Sequence, residues 1–247
     1  MIRLSVNVNK VATLRNSRGG AEPGVLRAVR VCLAAGAPGI TVHPRADERH
    51  IRPGDVRDIA AELAGVSDVE FNMEGDPRED FLALVAEVRP QQCTLVPVAP
   101  GEITSQAGWP AETPRAEMSR IVRDLQAMKI RVSLFVDPDP GPVRWAAAVG
   151  ADRVELYTEP FARAFALDGA DGATARAGLA SCAAAAELAA GLGLGVNAGH
   201  DLDLDNLTLF RTLPHLSEVS IGHALIGHAL FVGLDRAVGD YLRVLGG

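Results

Sequence analysis

Three side chains in this sequence have the chemistry to move protons near neutral pH: His43, Glu74 and His200. An imidazole changes its charge between about pH 5 and 8, and a carboxyl group can be shifted into that range by its surroundings. Each of the three follows a short apolar segment typical of a strand. Taken alone, His43 could equally be a structural histidine. Together, the three predict a site for general acid–base chemistry.

A second set of residues could bind anions. The side-chain donors are Lys10, Arg18, Arg45 and His50. A guanidinium group matches the geometry of a phosphate, so the arginines are the best suited of these donors. Residues 220–223, Ser-Ile-Gly-His, lie between a predicted strand and a predicted helix. A glycine there lets backbone N–H groups approach a phosphate. The sequence therefore predicts two phosphate-binding regions.

The glycine and lysine patterns narrow the class of reaction. The sequence contains neither the Rossmann nor the Walker glycine fingerprint. Its lysines are Lys10 and Lys129, so none stands at a late strand end, which disfavours an aldolase that forms a lysine imine. Two anion sites beside several proton-transfer groups predict multistep carbonyl chemistry on phosphorylated substrates.

Apolar residues alternate between helical and strand spacing along the whole chain. Eight strands that alternate with eight helices predict an α/β protein with a parallel sheet. We expect this sheet to close as a single (β/α)8 TIM barrel, which forms one domain over residues 1–247. The active site of such a barrel lies at the C-terminal ends of its strands. The predicted strands are Leu4–Val8, Gly39–His43, Val69–Met73, Gln92–Pro97, Ile130–Val136, Arg153–Tyr157, Leu194–Asn197 and Glu218–Ile221. The predicted helices are Gly24–Ala35, Pro53–Ala64, Arg78–Val88, Arg115–Met128, Pro142–Val149, Gly172–Leu192, Asp203–Thr212 and Ile226–Val244.

The composition is that of an ordinary globular protein. Of 247 residues, 48% are hydrophobic and 22% charged, which excludes a disordered or collagen-like chain. The net charge of −7 and the lack of a basic run argue against nucleic-acid and membrane partners. Cys32, Cys93 and Cys182 lack CxxC spacing, and the N-terminus does not resemble a signal peptide. We therefore expect a cytoplasmic protein with reduced cysteines.

Seven segments carry a more specific signal. They are residues 5–19, 39–45 with Arg49-His50, 71–74, 95–97, 132–137, 196–200 and 221–227. In this order they closely resemble the pyridoxine 5′-phosphate synthase family. The resemblance implies a TIM barrel that condenses 3-amino-2-oxopropyl phosphate with 1-deoxy-D-xylulose 5-phosphate, giving pyridoxine 5′-phosphate, inorganic phosphate and water. It also implies catalysis without a metal or organic cofactor, and assembly as a homo-octamer.

The resemblance also implies a role for individual residues. The aminoketone phosphate would be held by Asn7, Arg18, Gly222 and His223. The sugar phosphate would be held by Arg45, His50 and Thr104. The proton acceptors would be His43 and Glu74, the proton donor His200, and the carboxylate that stabilises the transition state Glu155.

The sequence departs from the family pattern at two places. Asn9-Lys10 stands where the family has Asp-His, so the contact to the sugar phosphate there is in question. Lys10 can still donate to a phosphate, but Asn9 cannot act as an anionic acceptor. Asp201 stands where the family has glycine, and a carboxylate there would repel a phosphate unless it turns away. We keep all three among the expected substrate-binding residues.

Two other functions stay open at this point. The first is a metal-dependent sugar-phosphate isomerase on the same fold, with Glu74, Asp137, Glu155 and His200 as ligands. A turn that caps a helix is the simpler interpretation of Asp137. The second is a vitamer-binding protein without turnover, which the changes at Asn9 and Asp201 make conceivable.

Residues 98–114 predict a long loop after the fourth strand. The segment is rich in proline and glycine and shows neither helical nor strand spacing. Imine intermediates hydrolyse in water, so a multistep site gains from a lid that excludes it. We therefore expect this loop to close over the site, with Gly101 and Gly108 as hinges and Trp109 as a cover.

Overall fold

The barrel predicted from the sequence is present in the computed structural model, which describes residues 1–98 and 106–246. Eight parallel strands pair in chain order, and the first also pairs with the last, which closes the sheet. The strands are β1 Arg3–Asn7, β2 Gly39–Val42, β3 Glu70–Gly75, β4 Gln92–Leu95, β5 Arg131–Val136, β6 Arg153–Tyr157, β7 Gly195–Gly199 and β8 Leu216–Ile221. The predicted (β/α)8 TIM barrel is confirmed.

Helices surround this barrel in the described part of the chain. They are α1 Asn9–Asn16, α2 Val25–Ala34, α3 Pro53–Leu63, α4 Glu79–Val88, α5 Arg115–Ala127, α6 Pro140–Val149, α7 Glu159–Asp168, α8 Ala173–Gly191, α9 Leu207–Phe210, α10 His223–Val232 and α11 Leu234–Val244. Most of them begin and end within a few residues of the predicted positions.

The helix prediction was wrong in three places. α1 and α7 were not predicted, because each is short and buries only a few side chains. A single helix was predicted at the end of the chain, but Gly233 divides it into α10 and α11. The backbone of Gly233 has φ 91°, in the left-handed region that glycine adopts without steric cost and that ends a helix.

The two faces of the barrel strands differ in chemistry. Side chains such as Leu4, Val6 and Ile40 are fully buried in the apolar core. The residues that alternate with these apolar ones point into the barrel and are polar, and their side chains form hydrogen bonds with one another inside it. The Ser5 hydroxyl lies 2.6 Å from that of Thr41, for example. The interior of this barrel is therefore a hydrogen-bonded polar layer rather than the usual branched apolar one.

Within the described residues, no helix has the length and apolar character needed to cross a membrane.

Candidate active site

A cavity of about 420 Å³ opens at the C-terminal ends of the strands, where the fold predicts the site. Its volume suits small phosphorylated molecules. It brings together twelve of the fourteen predicted site residues. These are Asn7, Asn9, Lys10, His43, Arg45, His50, Glu74, Glu155, His200, Asp201, Gly222 and His223. The residues come from six different strand ends, so only the closed barrel unites them.

His43 and Glu74 lie side by side in this cavity. The distance from His43 Nδ1 to Glu74 Oε2 is 3.9 Å, too long for a hydrogen bond. His43 Nε2 is buried without a hydrogen-bond partner among the described residues. The backbone N–H of His43 donates to Asn9 Oδ1 at 2.9 Å. Asn9 thus fixes the chain at His43, and this position does not require an anionic residue.

The surroundings of His43 and Glu74 favour the neutral form of each. Burial, followed by the charges of His50 and Arg45, lowers the pKa of His43 to about 3, so its imidazole is neutral at pH 7. Burial raises the pKa of Glu74 to about 7, although a hydrogen bond from Ser220 at 3.2 Å opposes the shift. Glu74 can therefore gain or lose a proton near neutral pH.

Glu155 lies deeper, on β6, and is buried. Burial, and then the charges of Glu74 and Glu218, raise its pKa well above the usual value. This shift favours the protonated form of the carboxyl group, which can donate a hydrogen bond. Gly199 on β7 makes room for it, because a Cβ there would stand 2.3 Å from Glu155 Oε1.

His50 is suited to donate to an anion as a neutral ring. Its Nδ1 accepts a hydrogen bond from the backbone N–H of Ile51 at 3.0 Å, so in the neutral ring the proton sits on Nε2. Burial, and then the charges of Arg45 and Lys10, lower the pKa of His50 to about 4. Arg45, itself buried, supplies permanent positive charge beside it.

The position of His50 depends on α1, which the sequence analysis missed. Asn16 Nδ2 donates to the His50 carbonyl oxygen at 2.8 Å, and Arg15 Nη2 donates to it at 3.2 Å. Arg15 is buried and also pairs with Asp55 at the start of α3, with 2.9 Å between Nη2 and Oδ2. Helix α1 thus holds the anion-binding loop, a role that its local sequence did not reveal.

The last two strands bring His200, Asp201, Gly222 and His223 into the same cavity. Helix α10 begins at His223, directly after Gly222 and three residues before the predicted start at Ile226. Gly222 packs so close to β1 that a Cβ there would stand 3.1 Å from Asn7. The Asp201 carboxylate turns toward its neighbour, with 2.9 Å between Oδ2 and His200 Nδ1.

Two predicted site residues are not among those that line the cavity. Arg18 is exposed, two residues after the end of α1. Thr104 lies outside the described residues, as does the proposed hinge Gly101. The predicted cover, Trp109, packs against the core instead of over the cavity. Its Nε1 donates to the Leu95 carbonyl oxygen at 2.8 Å, and its ring lies 6.1 Å from that of Trp145.

Several residues of the cavity were not predicted as site residues. They are Thr13, Arg49, Val96, Phe135, Leu202, Ser220, Ile221 and Ala224. Ser220 had a usable signal, because it alternates with Glu218 and Gly222 and therefore faces the barrel interior. Val96 and Phe135 form a small apolar cluster with Tyr157. They had no such signal, because apolar residues at strand ends are usually part of the core.

The ligands proposed for a metal-dependent isomerase are not gathered into a metal site. In the described ranges, no group of three or more His, Cys, Asp or Glu side chains is arranged to hold a metal ion. Asp137 lies apart from the residues that line the cavity and accepts a hydrogen bond from the Gly108 backbone at 3.4 Å.

Comparison with known proteins identifies the family. The model of the pyridoxal phosphate biosynthesis protein PdxJ family matches residues 4–247. This chain belongs to that family. The pyridoxine 5′-phosphate synthase of Porphyromonas gingivalis is 51% identical over 242 residues, which cover 98% of each chain. That of Bacteroides fragilis is 49% identical over 246 residues, covering 99% of this chain and all of the relative.

Solved structures support the fold of this PdxJ family member. Phosphoribosylanthranilate isomerase from Thermotoga maritima aligns with a TM-score of 0.60 at 14% identity, covering 99% of this chain and 98% of that one. The tryptophan synthase alpha subunit from Legionella pneumophila aligns with a TM-score of 0.61 at 11% identity, covering 99% and 92%. At such identities the likeness concerns the barrel alone.

Proposed function

We propose that this protein is a pyridoxine 5′-phosphate synthase, a single-domain enzyme that joins 3-amino-2-oxopropyl phosphate to 1-deoxy-D-xylulose 5-phosphate. The observation that carries the proposal is the cavity itself. In a chain of this family, it combines the cationic Arg45 and the neutral donor His50 with two proton-transfer groups whose pKa values are shifted by burial, that of His43 to about 3 and that of Glu74 to about 7.

The reaction moves a proton at almost every step. The substrate amine attacks the sugar ketone, and loss of water gives an imine. Elimination of phosphate, closure of a carbon–carbon bond and a further loss of water then give the aromatic ring. Glu74, with a pKa of about 7, is suited to take up a proton and release it again, and neutral His43 presents a ring nitrogen that can accept from the substrate. Because its pKa is raised, the carboxyl group of Glu155 can act in its neutral form and donate a hydrogen bond to a developing oxyanion.

The substrates would lie in the cavity beside the ends of β8, β1 and β2, which are neighbours in the barrel. We assign the sugar phosphate to Arg45 and His50, with Thr104 from the loop after β4. We assign the aminoketone phosphate to Asn7, Gly222 and His223, where α10 begins. Lys10 stands in the same cavity and supports phosphate binding on the side of His50. We retain Arg18 as a ligand on the basis of the family resemblance alone.

We also propose that the enzyme works in the cytoplasm as a homo-oligomer, an octamer by resemblance to the family. Its three cysteines are free and buried, which fits a reducing compartment. At the end of α10, the side chains of Leu230 and Phe231 are 70% and 89% exposed. Two large apolar side chains so exposed are typical of a surface covered in an assembly.

The experiment that tests the function is incubation of the purified protein with the two substrates, together and singly. Pyridoxine 5′-phosphate should form only when both are present. Binding of pyridoxine 5′-phosphate without formation of product would favour the vitamer-binding alternative instead.

A further inference from the structure

Asp201 and His200 form a close pair at the turn that follows β7. Asp201 Oδ2 lies 2.9 Å from His200 Nδ1. The hydrogen bond from His200, followed by the charges of His200, His223 and Lys10, holds the pKa of Asp201 below its usual value. Asp201 is therefore a carboxylate, and a carboxylate can only accept. The proton of this hydrogen bond must sit on Nδ1 of His200.

The backbone of this turn is unusual for the residues that form it. His200 has φ 90° and Asp201 has φ 59°, so two consecutive residues with side chains occupy the left-handed region. Glycine would occupy it without steric cost. The backbone of Asp201 is thus held in a conformation that is unfavourable for a residue with a side chain. Burial of the side chain does not explain this conformation, because the side chain is exposed.

Buried side chains on neighbouring elements hold the turn in place. Thr158, which is fully buried, donates its hydroxyl proton to the Gly199 carbonyl oxygen at 2.8 Å and also to that of His200. Asn206, also buried, donates from Nδ2 to the Asp201 carbonyl oxygen at 3.0 Å. These contacts fix the backbone on both sides of the pair, so the two side chains meet without further rearrangement.

The ring of His200 is also held from its other sides. Tyr157 packs edge-on against it with 5.2 Å between ring centroids, and Phe135 lies at 6.2 Å. Glu74 is near enough for its pKa to respond to the charge of His200. The imidazole therefore has one orientation, with Nδ1 at Asp201, and proton exchange with a ligand falls to Nε2.

We propose that Asp201 is a positioning residue, which fixes the tautomer and the orientation of His200 so that Nε2 serves the bound substrate. The proposal rests on the proposed function of this cavity. The Asp201 carboxylate then interacts with His200 and not with the aminoketone phosphate. This explains why an acidic residue stands beside a predicted phosphate site.

The Asp201→Gly variant separates this role from a structural one. Glycine relieves the left-handed backbone, so the melting temperature should not fall. Nitrogen NMR of protein labelled with ¹⁵N-histidine reports which ring nitrogen carries the proton, and the His200→Gln variant assigns the signal. At pH 8 the wild type should show His200 protonated on Nδ1. In Asp201→Gly the proton should move to Nε2, the position that free neutral histidine prefers.

Kinetics of the same variant give the second measurement. Loss of positioning should lower kcat roughly tenfold to a hundredfold, which reaches only the lower end of the range that a whole acid–base group contributes, and leave both KM values nearly unchanged. Asp205→Asn is the matched control, because it removes the same charge from an exposed side chain nearby. Its kcat and its histidine spectrum should match those of the wild type.

Two results would overturn the proposal. One is a His200 tautomer that is unchanged in Asp201→Gly. The other is an unchanged kcat with an altered KM for the aminoketone phosphate, which would make Asp201 a substrate-contact residue. The NMR measurement does not depend on turnover. A protein without synthase activity would therefore refute the proposed function, while the tautomer of His200 would still show whether Asp201 and His200 form the pair.

Discussion

At the scale of single residues, the cavity holds two bases made by opposite shifts. Burial favours the neutral form of both His43 and Glu74, which lowers the pKa of the first and raises that of the second. Glu74, which titrates near pH 7, can therefore take up and release protons at little energetic cost, while the neutral imidazole of His43 presents a ring nitrogen that can accept from the substrate.

We predict that His43→Asn and Glu74→Gln each lower kcat by roughly a hundredfold or more, because both substitutions keep the shape and remove the basicity. Steady-state kinetics with both substrates measure the effect. His215→Asn is the matched control, since His215 is exposed and pairs with Glu187 away from the cavity. A folded variant at either position with nearly wild-type kcat would remove that residue from the mechanism.

Residue types at strand ends were enough to predict most of the cavity. A polar residue that ends a strand of a parallel barrel can only project near the other strand ends, and His43, Glu74 and His200 follow this rule. The contacts of Arg15 with His50 and Asp55 could not be predicted in the same way. They join segments 35 to 40 residues apart, and no local pattern encodes which distant groups will meet.

At the scale of elements, the polar barrel interior explains the alternation of polar and apolar residues along the strands. Strands of a parallel sheet are usually apolar on both faces. Here Arg131 and Ser133 alternate with Val132 and Leu134, because the inner face belongs to a hydrogen-bonded layer. Period-two alternation therefore indicated a polar interior, in addition to indicating a strand.

The part of this loop that begins at residue 106 is anchored to β5. Gly108 fits against β5 so closely that a Cβ would stand 2.3 Å from the Val136 Cα atom. The next residue, Trp109, donates its backbone N–H to the Phe135 carbonyl oxygen at 2.8 Å. Gly108 is therefore a packing position and not a hinge of the predicted lid.

Gly108→Ala should destabilise the protein, because backbone and not a flexible side chain stands in the way of the new methyl group. Differential scanning calorimetry should show a melting temperature lower by several degrees. Gly191→Ala is the control, since nothing lies within 4 Å of a Cβ added at that helical position. Equal melting temperatures for the two variants would contradict this account of the anchor.

At the scale of the whole molecule, buried acids in the barrel make stability depend on pH. Glu74, Glu155 and Glu218 all have raised pKa values, those of Glu74 and Glu218 to about 7. The unfolded chain releases these protons from about pH 4.5, whereas the fold retains them. The free energy of unfolding that they contribute is thus complete below about pH 4.5 and is lost as the pH rises through 7.

Glu155→Gln should remove part of this dependence, because an amide stays neutral in both states. We expect the melting temperature of the variant to exceed that of the wild type by a few degrees at pH 8, with a smaller difference at pH 5. Glu112→Gln, a change at an exposed side chain, should show no such trend. A difference for Glu155→Gln that does not grow with pH would show that the carboxyl is ionised in the fold.

The exposed end of α10 gives a test of assembly. Phe231→Glu places a charge where we expect a second copy of the chain to pack, and should shift the mass measured by light scattering toward smaller species. Leu167→Glu, at an exposed apolar residue on α7, is the comparison that should leave the mass unchanged. A wild-type protein that is already monomeric would refute the proposed oligomer.

The most direct test of the central claim is the stoichiometry of the reaction. Protein treated exhaustively with a chelator is incubated with 3-amino-2-oxopropyl phosphate and 1-deoxy-D-xylulose 5-phosphate, and pyridoxine 5′-phosphate and inorganic phosphate are quantified over time. We predict that the two products appear in equal amounts and that neither appears when one substrate is omitted. Isomerisation of the sugar phosphate without release of phosphate, or activity that returns only with added metal, would contradict the account.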